Sequence, residues 1–182
     1  MRSDQIRHTA FNRPFIEQRA DPYILHHTDG SYYFTASVPQ YDRVVLRHSN
    51  TLAGLRTAPE TTVWEHHARG SMSCHVWAPE LHWLDGAWYL YFAAGDIDDV
   101  WNIRPYVLRC EGTDPLTDAW REEGMPRRAD DFSFNDFSLD LTVFEHGGRR
   151  YGVWAEKVNL GKKISNLYIA EMDSPLSFKT PQ

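Results

Sequence analysis

The sequence predicts an all-β fold in which one unit of short strands is repeated around a central axis. Helical periodicity is nearly absent, and the apolar runs are short and bounded by turn residues, which is typical of strands. A similar unit opens three times, at intervals of roughly 60 residues. Repetition at this period indicates a β-propeller, whose blades gather the starts of their innermost strands around the axis. The three openings are Asp21-Pro22, Ala78-Pro79 and Asp140-Leu141.

Each unit has the same order of elements. The opening is followed by a turn, then by an aromatic strand, and then by a second apolar strand. The turns are Asp29-Gly30, Asp85-Gly86 and Gly147-Gly148, the aromatic strands are 32–34, 88–92 and 151–154, and the second strands are 44–46, 106–108 and 167–169. We therefore divide the chain into a lead-in, 1–18, and a propeller domain, 19–182, with units at about 19–55, 75–116 and 137–178.

The segments between the units are predicted to be connections. Residues 58–72 and 118–136 are polar, and the second segment is interrupted by Gly124-Met125-Pro126. Within the second unit, residues 95–104 are rich in Asp and Asn and are expected to form a loop that contains Trp101. Loops on a rigid scaffold often carry binding residues, so Trp101 is a candidate substrate contact.

Composition excludes several classes of function. The formal net charge is −6, and the basic residues form only pairs, which argues against binding of nucleic acid. No apolar stretch approaches the length of a membrane helix, so no membrane partner is expected. No group of His, Cys, Asp and Glu has the spacing of a metal site, and we expect no metal and no other cofactor. Residues 1–14 lack the apolar run of a signal peptide, which predicts a cytoplasmic protein.

Two aspartates at equivalent places in the repeat are candidates for catalysis. Asp21 is expected to be extended because Pro22 follows it, although an Asp-Pro pair that only closes a turn is the alternative. Asp140 lies in an apolar strand, where a carboxylate is costly to bury unless it is paired or functional. Two carboxylates that converge on one axis are what acid–base hydrolysis of a glycosidic bond requires.

The second unit has an aromatic side chain, Trp77, at the same register. Its indole is expected to face the axis and stack on a sugar ring, and a core position between blades is the alternative. Glu80 is expected to point to the opposite face from Trp77 and to make a structural hydrogen bond. His75 is a candidate substrate contact, whereas His82 is expected at the surface.

Three ordered motifs, 19–23, 76–81 and 137–140, resemble those of glycoside hydrolase family 43. The resemblance covers about 19–178 and implies a five-bladed β-propeller, of which this chain contains roughly the first three blades. It also implies hydrolysis with inversion, with Asp21 as the general base that activates water. Asp140 would orient the general acid and tune the pKa of that acid. The sequence from Phe137 to Asp140, followed by residues 142–146, is most similar to exo-acting α-L-arabinofuranosidases.

The family's general acid is a glutamate early in the fourth blade, and no residue of this chain matches it. Glu156 follows the aromatic strand of the third unit, so the acid role is not transferred to it. At roughly 60 residues per blade, a closed propeller would need on the order of 300 residues. The chain is therefore expected to be truncated, weakly active alone, and prone to self-association through the open propeller edge.

The expected substrates are arabinose- or xylose-containing oligosaccharides. The first hypothesis is an exo-acting α-L-arabinofuranosidase. The alternatives are a β-xylosidase, a non-catalytic carbohydrate-binding propeller fragment that uses Trp77 and the aspartates for recognition, and a fragment that serves only as an interaction surface. Substitution of Asp21 separates them, because an enzyme loses turnover, a binding module loses affinity and a scaffold loses neither.

Overall fold

A computed structural model describes residues 14–157 and 165–182 and contains three antiparallel four-stranded sheets. The first sheet is formed by β1 Ala20–His26, β2 Tyr32–Ser37, β3 Arg43–Ser49 and β4 Thr61–Glu65. The second is formed by β5 Cys74–Leu84, β6 Ala87–Asp96, β7 Asp99–Cys110 and β8 Arg121–Gly124. The third is formed by β9 Phe137–His146, β10 Arg149–Lys157, β11 Asn166–Ser174 and β12 Ser177–Phe178. A short 3-10 helix, Ala53–Arg56, lies between β3 and β4.

Each sheet is a meander in which the strands pair in chain order. Strands β1, β5 and β9 are the first strands of the three sheets, and β5 contacts both β1 and β9. The sheets therefore fan around one axis as propeller blades do, and the predicted all-β propeller fold is confirmed. Because the openings of the three units lie on β1, β5 and β9, residues that are distant in sequence meet at this axis.

Aromatic and aliphatic side chains fill the wedges between neighbouring sheets. Strand β6 shows how, because successive side chains on a strand point to opposite faces. Its Leu90 packs in the cluster between the first two sheets, whereas the adjacent Tyr91 packs in the cluster between the second and third sheets. A fully buried apolar side chain of this size stabilises a fold by about 1.5–3 kcal/mol. The excess of aromatic residues in the sequence thus largely serves the packing of sheet against sheet.

The sheets of the first two units extend beyond the ends that the sequence suggests. Strands β4 and β8 lie within 58–72 and 118–136, the segments predicted to be connections. Both are short outer strands, and β8 has the polar sequence REEG, so neither has a long apolar run to mark it. The segment 95–104 also differs from the prediction, since β6 and β7 continue through most of it and Trp101 lies on β7 instead of in a loop.

One face of the third sheet is apolar and open to solvent. Phe144, Ile169 and Leu167 are 42%, 54% and 78% exposed. They pair with Tyr151, Val153 and Ala155, which alternate along β10 and therefore share one face of the sheet. We call the surface formed by Phe144, Leu167 and Ile169 the open face.

Candidate active site

Three residues at equivalent positions of β1, β5 and β9 have a left-handed backbone. Asp21, Ala78 and Asp140 have φ angles of 50°, 46° and 55°. Each lies at an irregularity in the pairing of its strand with the next one. A bulge bends a strand locally, and a left-handed residue other than glycine costs about 1–2 kcal/mol. The repeat seen in the sequence therefore extends to an unfavourable backbone geometry that recurs in all three sheets.

The expectation that Asp21 is extended is wrong. The preceding Ala20 and the later Tyr23 pair with Ser37 and Thr35, so one residue more lies on β1 than on β2 between these pairs. This bulge requires a turn of the backbone, and aspartate is among the residues that tolerate a left-handed φ. The local preference set by Pro22 is overridden by the pairing of the two strands.

Asp21 and Asp140 line the same cleft, which has a volume of about 230 Å³ and lies where the three first strands meet. Pro22, Tyr23, Ala78 and Glu80 complete the lining. A larger hollow of about 400 Å³ lies beside it, lined by residues 18–20, 37–39 and 41, and this lining contains no carboxylate. The cleft that contains both aspartates is therefore the candidate active site.

The electrostatics of the cleft oppose ionisation of Asp140. Asp140 as a whole residue is exposed, but the protein atoms around its carboxyl group partly desolvate that group and raise its pKa. The charges of Asp21 and Glu80 raise the pKa further. Like charges that share a site disfavour one another's ionised form. Burial also raises the pKa of the Tyr23 hydroxyl to about 12, with a smaller contribution from the charge of Glu80. The cleft is thus a region of negative potential.

Asp21 is held by a serine that the sequence did not single out. The Ser37 hydroxyl donates to Asp21 Oδ2 at 2.8 Å, and the backbone N–H of Ala78 donates to the same hydroxyl oxygen at 2.8 Å. Ser37 ends β2 and is only 2% exposed. In the sequence, Ser37 is marked only by its position at the end of the strand that pairs with the first opening. That position can be recognised only when the register between β1 and β2 is known.

Glu80 is a third carboxylate of the cleft, and the sequence predicts a structural hydrogen bond for it. Its Oε2 lies 3.1 Å from Nε2 of His82, which agrees with the expected hydrogen bond. Its expected orientation relied on strict alternation from Trp77, and a bulge between the two residues breaks that alternation. The expectation that His82 lies at the surface is wrong, because it is 6% exposed and packs between the rings of Tyr23 and Tyr91.

The aromatic candidates form a group beside the cleft, which we call the aromatic rim and which consists of Tyr41, His75, Trp77 and Trp101. The rings of His75 and Trp77 are stacked with centroids 4.5 Å apart, and Trp77 meets Tyr41 edge-on at 5.9 Å. Trp101 lies 6.2 Å from His75 and is 56% exposed. Trp77 directly precedes Ala78 of the cleft lining but is not itself part of that lining.

Glu156 lies away from the cleft lining and anchors a loop. It is 3% exposed, and its carboxylate accepts hydrogen bonds from the backbone N–H groups of Phe134 and Asp136 at 3.1 Å and 3.3 Å. The indole N–H of Trp154 also donates to it at 3.0 Å. These three donors give the buried carboxylate a structural role, in keeping with the decision not to assign it the general acid.

Across 14–157 and 165–182, no group of three or more His, Cys, Asp or Glu side chains is arranged to hold a metal ion. In the same residues, no helix has the length and apolar character needed to cross a membrane.

The family is decided by comparison with known proteins. The model of glycosyl hydrolases family 43 matches residues 11–181. The chain belongs to this family. The crystal structure of the α-L-arabinofuranosidase from Lactobacillus brevis superimposes on this chain with a TM-score of 0.82 at 46% identity, over 93% of this chain and 54% of that one. Solved family-43 structures are five-bladed propellers, so the three sheets are three blades of that architecture.

Two curated relatives are extracellular exo-α-(1→5)-L-arabinofuranosidases of Streptomyces. The one from Streptomyces avermitilis is 51% identical over 91% of this chain and 34% of its own length. The one from Streptomyces chartreusis is 47% identical over 97% of this chain and 52% of its own length. The chain thus spans about a third of the length of the first of these relatives and about half of the second. The cytoplasmic location predicted from the sequence is wrong by this comparison, because both relatives are named as extracellular.

Proposed function

We propose that this chain carries the general-base half of the active site of an inverting exo-acting α-L-arabinofuranosidase. The single observation that supports this most strongly is that Asp21 and Asp140, from two different blades, line one cleft. Membership of family 43 and the names of the relatives support the choice of sugar. Because those relatives are longer than this chain, both the activity and the substrate are part of the proposal.

In the proposed reaction, Asp21 accepts a proton from a water molecule that attacks the anomeric carbon. Its carboxylate suits this task because Ser37 and the bulge of β1 fix its position at the cleft. Water attacks from the face opposite the leaving oxygen, so the configuration of the sugar inverts. Asp140 is the charge that orients the general acid and raises the affinity of that acid for its proton, as a nearby like charge does.

The leaving oxygen needs a proton from a general acid. In the family this acid is a glutamate early in the fourth blade, and no residue in this sequence corresponds to it. Loss of a positioned acid lowers the rate by a factor of about 10²–10⁴. We therefore propose that the 182-residue chain turns over natural arabinosides weakly. An aryl leaving group that departs without a proton bypasses this step, so the base half of the site should remain measurable with such a substrate.

The aromatic rim supplies the proposed sugar-binding surface. Indole and imidazole rings present apolar faces on which the C–H face of a sugar ring can stack. Trp101, with more than half of its surface exposed, and the stacked pair of His75 and Trp77 are available for such contacts. We propose arabinofuranosyl oligosaccharides as ligands, with xylosyl oligosaccharides as the second class.

The test uses 2,4-dinitrophenyl α-L-arabinofuranoside and arabinobiose with the full chain. We expect turnover of the aryl substrate, release of the sugar with inverted configuration, and hydrolysis of arabinobiose that is slower by about 10²–10⁴. Asp21→Asn should reduce turnover of the aryl substrate by about 10²–10⁴ because the attacking water loses its base. The matched control is Asp173→Asn, which changes an exposed aspartate of β11 and should leave the rate unchanged.

Two outcomes would contradict the proposal. Release of the sugar with retained configuration would rule out the inverting mechanism, and equal rates for the native chain and Asp21→Asn would remove Asp21 from the reaction. Binding of arabino-oligosaccharides without any turnover of the aryl substrate would favour the second candidate, a carbohydrate-binding module. The exposed aromatic rim is the observation that supports this second candidate.

Two further properties belong to the same proposal. We propose that the protein acts outside the cell, as the two Streptomyces relatives do according to their names. We also propose that copies of the chain associate through the open face, because exposed apolar side chains on a sheet favour contact with a second sheet.

A further inference from the structure

We propose that Ser37 is a positioning residue that aims the carboxylate of Asp21 and links its position to the second blade. The inference rests on the proposed function, in which Asp21 is the general base. Within the described residues, the Ser37 hydroxyl is the one hydrogen-bond donor to the Asp21 carboxylate, at 2.8 Å from Oδ2.

The direction of each hydrogen bond follows from counting protons. A backbone N–H can only donate, so the oxygen of the Ser37 hydroxyl must accept from Ala78. A hydroxyl has one proton, and that proton is then directed to the remaining partner, Asp21 Oδ2. Ser37 therefore presents a donor to Asp21 and occupies Oδ2. In the proposed reaction, Oδ1 is then the oxygen that accepts the proton of the attacking water.

The surroundings make this aim rigid. Ser37 is 2% exposed and its backbone pairs with Ala20, directly before the bulge. Its two partners, Asp21 on β1 and Ala78 on β5, both have a left-handed backbone. The side chain of Asp21 is otherwise exposed, so without Ser37 its carboxylate would sample several rotamers. A misplacement of about 1 Å at a catalytic group can lower a rate by about 10²-fold.

A purely structural role is the competing explanation, since Ser37 also fastens β2 to β5. Ser73 offers a matched comparison because it has the same bonding pattern without a carboxylate. It is 1% exposed, accepts from the N–H of Ile97 at 2.8 Å and donates to the carbonyl of Gly70. Replacing either serine by alanine removes a buried hydroxyl that bridges a backbone N–H to an acceptor, so the two variants should lose similar stability.

The experiment is a double-mutant cycle on kcat and KM with 2,4-dinitrophenyl α-L-arabinofuranoside. Ser37→Ala should lower kcat by about 10- to 100-fold with little change in KM, and Ser37→Thr, which keeps the hydroxyl, should restore most of the loss. In the Asp21→Asn background, Ser37→Ala should cost no further rate, because its effect passes through Asp21. Ser73→Ala should keep kcat within about threefold of the native chain.

The outcomes separate this inference from the proposed function. If the native chain turns over the substrate but Ser37→Ala matches Ser73→Ala in kcat, Ser37 only connects β2 to β5 and the inference is wrong. The same holds if Ser37→Ala costs an equal factor with and without Asp21. If the native chain gives no turnover at all, the proposed function fails, and the inference fails with it. Thermal unfolding of each variant shows that it is folded. If Ser37→Ala is not folded, Ser37→Cys takes its place, because a thiol is close in size to the hydroxyl but is only a weak donor, and it should lower kcat in the same direction.

Discussion

At the scale of single residues, the cleft shows a conflict between chemistry and stability. Asp21, Glu80 and Asp140 share one small space, and the pKa of Asp140 is raised by crowding and by the other two charges. A carboxyl group whose pKa is higher in the folded than in the unfolded state binds its proton more tightly when folded. Its contribution to stability is therefore complete below the ordinary aspartate pKa of about 3.9 and is lost as pH rises through the raised value.

Asp140→Asn should accordingly stabilise the protein at neutral pH. The amide keeps the size of the side chain and removes the charge that its neighbours oppose, so Tm at pH 7 should rise by on the order of 1–3 °C. The gain should shrink as pH falls toward 4, because the native carboxyl then becomes protonated. Thermal unfolding at both pH values measures this, with Asp173→Asn as the control. A variant that is less stable than the native chain at pH 7 would show that Asp140 is favourably paired.

At the scale of elements, the inner strands are shaped by bulges that sequence patterns do not reveal. The openings of the three units lie on β1, β5 and β9, and Asp, Pro and flanking apolar residues mark them in the sequence. Orientation along each strand was predicted less well, since alternation fails across a bulge, as it does between Trp77 and Glu80. The burial of His82 was missed for a related reason, because its partners Tyr23 and Tyr91 are brought to it by two other strands.

The loop at 130–136 depends on one buried carboxylate on the neighbouring strand β10. Glu156→Ala would leave the N–H groups of Phe134 and Asp136, and the indole N–H of Trp154, without their acceptor. Buried donors left unsatisfied cost about 1–3 kcal/mol each, so we expect a loss of at least 2 kcal/mol in the free energy of unfolding. Urea denaturation measures it. Glu145→Ala, which removes an exposed glutamate of β9, is the comparison and should cost under about 1 kcal/mol.

A small effect of Glu156→Ala on stability, together with a large loss of turnover, would reverse this assignment. Glu156 would then act in the reaction instead of anchoring the loop. Measuring both quantities on one preparation keeps the two roles apart.

At the scale of the whole molecule, the fold class and the family could be predicted, because each rests on features that recur along the chain. The outer strands β4 and β8 could not, since a short polar strand at a sheet edge resembles a connection. The convergence of Asp21 and Asp140 followed from the repeat alone. Ser37 did not, because its role depends on the register of β2 against β1 and on contact with the second blade.

Self-association is the property that belongs to this scale. Leu167→Glu combined with Ile169→Glu places two charges on the open face, and we expect the variant to sediment as a monomer where the native chain forms larger species. Leu52→Glu is the control, because Leu52 is also an exposed leucine, at 49%, but lies outside the open face. Sedimentation velocity at high micromolar concentration gives the answer. A native chain that is monomeric throughout would contradict the proposal.

The left-handed kink at Ala78 has a consequence for how such a site could arise. Ala78 repeats the geometry of Asp21 and Asp140 but has only a methyl group. The kink therefore cannot be a device that exists for proton transfer alone. The kink instead accompanies the meeting of three sheets at the propeller axis. It places one side chain from each sheet in the lining of the axial cleft, whatever the residue type. A repeated scaffold of this kind therefore has several equivalent positions at its axis, and a catalytic site requires suitable side chains at only some of them.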